Sequence, residues 1–124
     1  MLRIVALAII LFLLACHVQK KSQEPILPLQ PLTDTQLAQA EDLTAAKACV
    51  VCHSVSKRLI GPSFTEISNR YSYTESTLQK LTQKVLNGGS GSWGRVPMVA
   101  NKNMVNEKEL EQIFQYIFSL KTKK

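Results

Sequence analysis

The chain has 124 residues, 45% of them hydrophobic, and its 15 Lys and Arg outnumber its 9 Asp and Glu, which gives a formal net charge of +6. This length accommodates one domain and excludes two separate hydrophobic cores. The basic excess is modest and the sequence has no nucleic-acid-binding motif, so we predict no nucleic-acid partner.

The first 15 residues are organised like an export signal. Arg3 precedes twelve apolar residues at 4–15, a run shorter than the ~20 residues of a membrane span and typical of a signal peptide. The run ends in Leu13-Leu14-Ala15-Cys16, which resembles the lipobox of bacterial lipoproteins. The resemblance implies that residues 1–15 are removed and that Cys16 carries a lipid, which anchors the chain at the periplasmic face of a bacterial membrane. Because His17 rather than Asp follows, the resemblance favours the outer membrane over the inner one.

Two alternatives stay open for this segment. Ordinary cleavage near Cys16 would leave a free or disulfide-linked thiol, and an uncleaved segment would act as an anchor itself.

Residues 16–33 are predicted to be a lipidated cysteine followed by a proline-rich tether. Proline recurs at every third position, at 25, 28 and 31, which favours extended polyproline II over helix. At ~3.1 Å per residue, the stretch would reach about 50 Å. The alternative is a packed extension, in which Ile26, Leu27, Leu29 and Leu32 dock on the domain that follows at 34–124.

The motif Cys49-Val50-Val51-Cys52-His53 is the attachment signature of a c-type haem. On a helix the two thiols share a face, so each can add across one vinyl group of a porphyrin, and the imidazole of His53 can bind the iron. A zinc site would need a second ligand pair, but the only other Cys and His are Cys16 and His17. A thioredoxin-like pair would need βαβ patterning, which is absent from the sequence. We therefore predict one haem c, bound covalently through Cys49 and Cys52, with His53 as an axial ligand.

Helix-start signals predict about four helices around this motif. The first begins at Thr33 and runs to about Ala48, the second begins at Ser63, the third spans Glu75–Asn87, and the fourth follows Asn106. Gly88 stands where a left-handed residue ends a helix. The fourth helix has the strongest apolar periodicity, through Leu110, Ile113, Phe114 and Ile117. No window alternates well enough for a strand, so the predicted fold class is all-α.

Met98 is the predicted second axial ligand. It lies in Val96-Pro97-Met98-Val99, after the glycine-rich residues 87–94, where a flexible segment followed by a rigid proline can present a thioether to the iron. Met104 is the alternative, as is an iron without a methionine ligand.

Residues 44–121 resemble a class I c-type cytochrome of the small bacterial monohaem c-551 type. The shared pattern consists of Cys49–His53, Gly61-Pro62, Lys84–Gly88, Trp93-Gly94, Pro97-Met98, Asn101 and Ser119–Lys121. The resemblance implies the cytochrome c fold, wrapped around one haem. It also implies that the Pro62 carbonyl accepts a hydrogen bond from His53, that Trp93 and Lys84 address a haem propionate, and that Asn101 steadies the Met98 loop. The alternatives are packing for Trp93, solvation for Lys84 and a turn for Asn101.

The sequence departs from this pattern in two places. The first helix lacks the usual Gly and aromatic residue, so we expect Ala40, Leu43 and Ala48 to replace them against the last helix at Phe114, Ile117 or Phe118. Val99 and Ala100 follow Met98 where relatives often have more proline, which predicts a looser loop.

These features predict an electron carrier rather than an enzyme, with no small-molecule substrate and a monomeric state. The expected partners are redox proteins, namely a donor complex and a terminal reductase, oxidase or peroxidase. The alternatives are a haem-containing sensor, which needs an open iron position, and a tethered subunit of a larger redox complex. By the resemblance, the haem edge is surrounded by Val50, Val51, Val96, Val99 and Ala100, with a basic rim of Lys57, Arg58, Arg95 and Lys102.

Overall fold

The computed structural model describes residues 24–122. The predicted signal peptide, Cys16 and the first part of the tether lie outside these residues. The described part consists of α1 (Asp34–Ala46), a single 3₁₀ turn (Cys49–Val51), α2 (Phe64–Arg70), α3 (Glu75–Asn87), β1 (Gly89–Gly91), β2 (Gly94–Met98) and α4 (Glu107–Ser119). The predicted all-α class with about four helices is confirmed. None of the helices between residues 24 and 122 has the length and apolarity to cross a membrane.

Helix α4 forms the centre of the hydrophobic core. It buries the predicted stripe and two further aromatic residues, Tyr116 and Phe118. The helix therefore faces protein around most of its circumference, and α1, α2 and α3 all pack against it.

The contact of α1 with α4 uses small residues. Ala40 and Thr44 are buried, and Leu43 packs at the edge of the core. Because Ala40 and Thr44 lie four residues apart on one face, they allow close approach of the two helices. The Thr44 hydroxyl donates to the Ala40 carbonyl at 2.6 Å, so its burial leaves no unsatisfied donor.

The expectation that Ala48 packs against α4 is wrong. α1 ends at Ala46, and Ala48 is exposed with φ 59° and ψ 17°. This left-handed conformation interrupts the helix and redirects the chain just before Cys49.

The expectation that the chain has no strand is also wrong, because residues 89–98 form a two-stranded antiparallel hairpin. Gly89 pairs with Met98 and Gly91 with Gly94. Both strands are exposed on both faces apart from Met98, so neither has the alternating apolar pattern that marks a strand in sequence. Positive φ at Gly89, Gly91 and Gly94 shapes the hairpin instead.

Candidate haem-binding site

The turn that carries the two cysteines follows directly from the left-handed Ala48. The N–H groups of Cys52 and His53 both donate to the Cys49 carbonyl, at 3.2 and 3.0 Å. In a 3₁₀ turn, residues three apart are eclipsed, so Cys49 and Cys52 lie on one side of the turn. Neither cysteine forms a disulfide within the described residues, so both thiols are available for thioether bonds, and burial raises the pKa of the Cys49 thiol.

The imidazole of His53 is fixed in one orientation. Its Nδ1 lies 2.6 Å from the Pro62 carbonyl oxygen, which can only accept, so the proton is on Nδ1 and Nε2 has a free lone pair. The ring stacks on Phe64, with 5.8 Å between centroids and an interplanar angle of 16°. On another side it contacts Gly61 so closely that a Cβ there would lie 2.4 Å from Cε1 of His53.

Met98 lies at the end of β2, where its backbone is held against the end of α3. The Asn101 N–H donates to the Val85 carbonyl at 3.0 Å, and its side-chain amide donates to the Val99 carbonyl at 2.7 Å. Met98 is half-buried, whereas the rival Met104 lies on a turn with 48% of its surface exposed.

Trp93 lies in the turn between β1 and β2, where two arginines approach its indole ring. The guanidinium carbon of Arg70 is 4.3 Å from the indole centroid and that of Arg58 is 5.4 Å away, distances at which cations interact with an aromatic face. Tyr71 meets the indole edge to face. Lys84 is placed differently, because its ammonium donates to the Ser90 carbonyl at 3.3 Å. The sequence does not indicate a role for Arg70 and Tyr71 at this site, since only the tertiary fold brings the end of α2 to the hairpin.

The residues around His53 expose an unusual amount of aliphatic surface. Leu59 and Ile60 were not singled out in the sequence, yet they are 52% and 64% exposed, in the loop that returns to His53. Other exposed aliphatic residues flank the cysteines and Met98, namely Val50, Val51, Val55, Val96 and Val99. Two thiols on one side of a turn, an imidazole with a free Nε2 and surrounding apolar surface fit a covalently bound haem.

The Cytochrome c family model matches residues 37–121, or more than half of the chain. The chain belongs to the cytochrome c family. It is 37% identical over 81 residues to cytochrome c-551 of Pseudomonas denitrificans, covering 65% of this chain and 96% of that protein. It is 33% identical over 81 residues to cytochrome c-552 of Hydrogenobacter thermophilus, covering 65% of this chain and 81% of that protein.

A solved structure agrees with these matches. The crystal structure of Nitrosomonas europaea cytochrome c552 matches with a TM-score of 0.59 and 31% identity, covering 65% of this chain and 99% of that structure. The cytochrome c fold is confirmed, and the cofactor of this cytochrome is one haem c, bound through Cys49 and Cys52.

Proposed function

We propose that this cytochrome is a carrier of single electrons between redox proteins, with His53 and Met98 as the two axial ligands of its haem iron. When bound, the haem supplies an iron that changes between two oxidation states. The observation that carries the proposal is the pair of constrained ligands: the His53 ring is fixed on Pro62, and the segment after Met98 is fixed by Asn101. Two protein ligands leave no iron position for a substrate, which favours a carrier over a sensor.

The neighbouring polar residues have separate roles in this proposal. The Pro62 carbonyl orients the imidazole and increases its basicity, and Asn101 holds the backbone after Met98 against the end of α3. We assign Trp93 and Lys84 to the haem carboxylates, since an indole N–H and an ammonium are donors only.

The axial ligands are tested by comparing Met98→Ala with the matched control Met104→Ala. We expect wild type and Met104→Ala to be low-spin and to show the weak far-red band of a thioether–iron bond when oxidised. Met98→Ala should lose that band. High-spin iron in the wild type would contradict the carrier function and favour a sensor.

We further propose that a lipid on Cys16 anchors the protein at the periplasmic face of a bacterial membrane. We propose that this membrane is the outer rather than the inner one. The sequence Leu13–Cys16 supports this, and two or more acyl chains hold a protein firmly on a bilayer. Intact mass should reveal acyl chains on an N-terminal Cys16, and Cys16→Ser should release a soluble, red periplasmic protein. Recovery of the wild type wholly in the soluble fraction would contradict the anchor.

The proposed docking face for the redox partners is the exposed aliphatic surface around Val50 and Val99, with Arg95 and Lys102 at its rim. Rim charges act mainly on the association rate, so Arg95→Glu and Lys102→Glu should slow electron transfer from an acidic partner, and salt should reduce the difference. Lys80→Glu makes a charge reversal of the same size, but beside Glu24 rather than at this rim, and serves as the control. Equal effects of all three reversals would contradict this docking face.

A further inference from the structure

Residues 24–29 precede residues 37–121, which the cytochrome c family model matches, yet they lie against the domain. The Glu24 carboxylate accepts hydrogen bonds from the backbone N–H of Ser76, at 2.8 Å, and from its hydroxyl. Ser76 is in the first turn of α3, where unpaired N–H groups and the helix dipole favour a negative charge. The hydrogen bonds from Ser76 hold the pKa of Glu24 below its ordinary value.

A second contact lies three residues further along the chain. The Leu27 N–H donates to the Tyr73 carbonyl at 2.7 Å, and Leu29 packs against the hydrophobic core. Ile26, Leu27 and Leu29 together face Tyr73, Phe118 and Lys121. Pro25 and Pro28 restrict the intervening backbone, which lowers the conformational entropy lost when the segment docks.

The docked segment lies on the opposite side of α4 from the haem ligand. Phe118 faces Tyr73, with ring centroids 5.1 Å apart, whereas Tyr116 faces Phe64, which stacks on His53. Residues two positions apart point about 200° apart around a helix. The side of α4 that carries the segment is therefore turned away from His53.

We propose that residues 24–29 are a clasp that fixes where the chain leaves the domain, so that an anchored cytochrome turns its clasp side to the membrane and its His53 side outward. The clasp leaves residues 17–23 between Cys16 and the domain; seven residues can span at most about 25 Å, compared with about 50 Å for the whole proline-rich stretch. The orientation at a membrane rests on the proposed anchor at Cys16, whereas the docking of the clasp does not.

Docking is tested on the soluble mature holoprotein with Cys16→Ser. The Leu27 amide should exchange its hydrogen at least about tenfold more slowly than in an unstructured peptide. The double variant Glu24→Ala, Leu29→Asp should remove this protection while the haem spectrum stays unchanged. A Leu27 amide that exchanges in wild type as fast as in the peptide would overturn the clasp.

Orientation is tested without relying on natural lipidation. The mature holoprotein is exported with a non-lipoprotein signal, so that Cys16 is a free thiol, and is coupled to a maleimide lipid in neutral vesicles. A water-soluble amine reagent should then modify Lys80 and Lys121, on the clasp side, several-fold more slowly than in free protein, and Lys57 and Lys102 at unchanged rates. In the double variant Glu24→Ala, Leu29→Asp, coupling to vesicles should slow the modification of Lys80 and Lys121 no more than that of Lys57 and Lys102. Equal slowing of all four lysines, or slowing of Lys57 and Lys102 alone, would overturn the orientation but leave the proposed lipid and electron-carrier function untouched.

Discussion

Gly88 has a backbone conformation that brings the Met98 segment against α3. Its φ of 71° and ψ of −151° belong to a region that is open essentially to glycine alone. A Cβ at this position would lie 2.5 Å from the Met98 carbonyl oxygen and 2.9 Å from the Ala100 nitrogen. The glycine is therefore required both by the turn and by the close approach of the proposed ligand loop.

We predict that Gly88→Ala lowers the free energy of unfolding by about 3 kcal/mol or more, because backbone strain and steric overlap add. Gly91→Ala is the control, since Gly91 also has positive φ but a Cβ there meets nothing within 4 Å; it should cost only the backbone strain, about 1–3 kcal/mol, and less than Gly88→Ala. Denaturant unfolding of both holoproteins measures the difference. Equal losses of unfolding free energy in the two variants would mean that the overlap with the Met98 carbonyl adds nothing to the effect of Gly88→Ala.

Gly61 is required for a different reason, because its neighbour is the His53 ring rather than backbone. The 2.4 Å approach of a Cβ to Cε1 means that Gly61→Ala must displace the imidazole from Pro62. We predict a lower yield of low-spin holoprotein and a shifted reduction potential, whereas Gly91→Ala should keep the wild-type spectrum. An unchanged potential in Gly61→Ala would indicate that the ring orientation is not fixed by this contact.

At the scale of the elements, the helix starts were predictable because their signals are local. Thr33 with Gln36, Ser63 with Glu66, and Asn106 with Glu109 all form reciprocal capping boxes in the structure. The end of α1 was not predictable, since Ala48 adopts a left-handed conformation at a position where glycine or asparagine would be the usual sequence signal. The hairpin was not predictable either, because its strands are short and exposed and lack an alternating apolar pattern.

In the candidate site, too, contiguous motifs were predictable from the sequence, whereas the contacts around Trp93 were not. The C-x-x-C-H spacing and the Pro97-Met98 pair are readable from the sequence because they are contiguous. The packing of Arg58 and Arg70 on the indole joins three separate segments, and no periodicity relates residues 58, 70 and 93.

Capping should matter most for α2, which has seven residues and begins with the Phe64 that stacks on His53. Ser63 is buried, and its hydroxyl accepts from the Glu66 N–H at 3.1 Å. We predict that Ser63→Ala costs about 2 kcal/mol, whereas Thr33→Ala, at an exposed cap, costs about 1 kcal/mol or less. Thermal unfolding of the two holoproteins measures both, and a larger loss for Thr33→Ala would contradict the importance of burial.

At the scale of the whole molecule, a few carboxylates join separate segments of the chain. Glu109 of α4 pairs with Lys47 after α1 at 2.8 Å, and Glu66 of α2 pairs with Arg58, in the loop between His53 and α2, at 2.7 Å. Glu24 joins the clasp to α3. The first pair connects α4 to the end of α1, and the second connects α2 to the loop that carries Leu59 and Ile60.

These carboxylates predict how stability changes in acid. The hydrogen bond from Arg58 lowers the pKa of Glu66, and that from Lys47 lowers the pKa of Glu109, each from an ordinary value of 4.5. Because the folded-state pKa is the lower one, the unfolded chain binds protons more readily, so the stabilisation is complete above about pH 4.5 and decreases as the pH falls through the folded-state pKa.

The double variant Glu66→Gln, Glu109→Gln should therefore be less stable than wild type at pH 7 and should lose less of its remaining stability between pH 5 and pH 3. Both side chains are solvent-exposed at the carboxylate, so salt should reduce the difference at pH 7. Asp42→Asn removes an exposed carboxylate that forms no ion pair within residues 24–122 and should follow the wild-type curve. Denaturant unfolding of the holoprotein from pH 3 to pH 7 measures all three, and a double variant with the wild-type pH dependence would mean that other groups determine the acid sensitivity of this cytochrome.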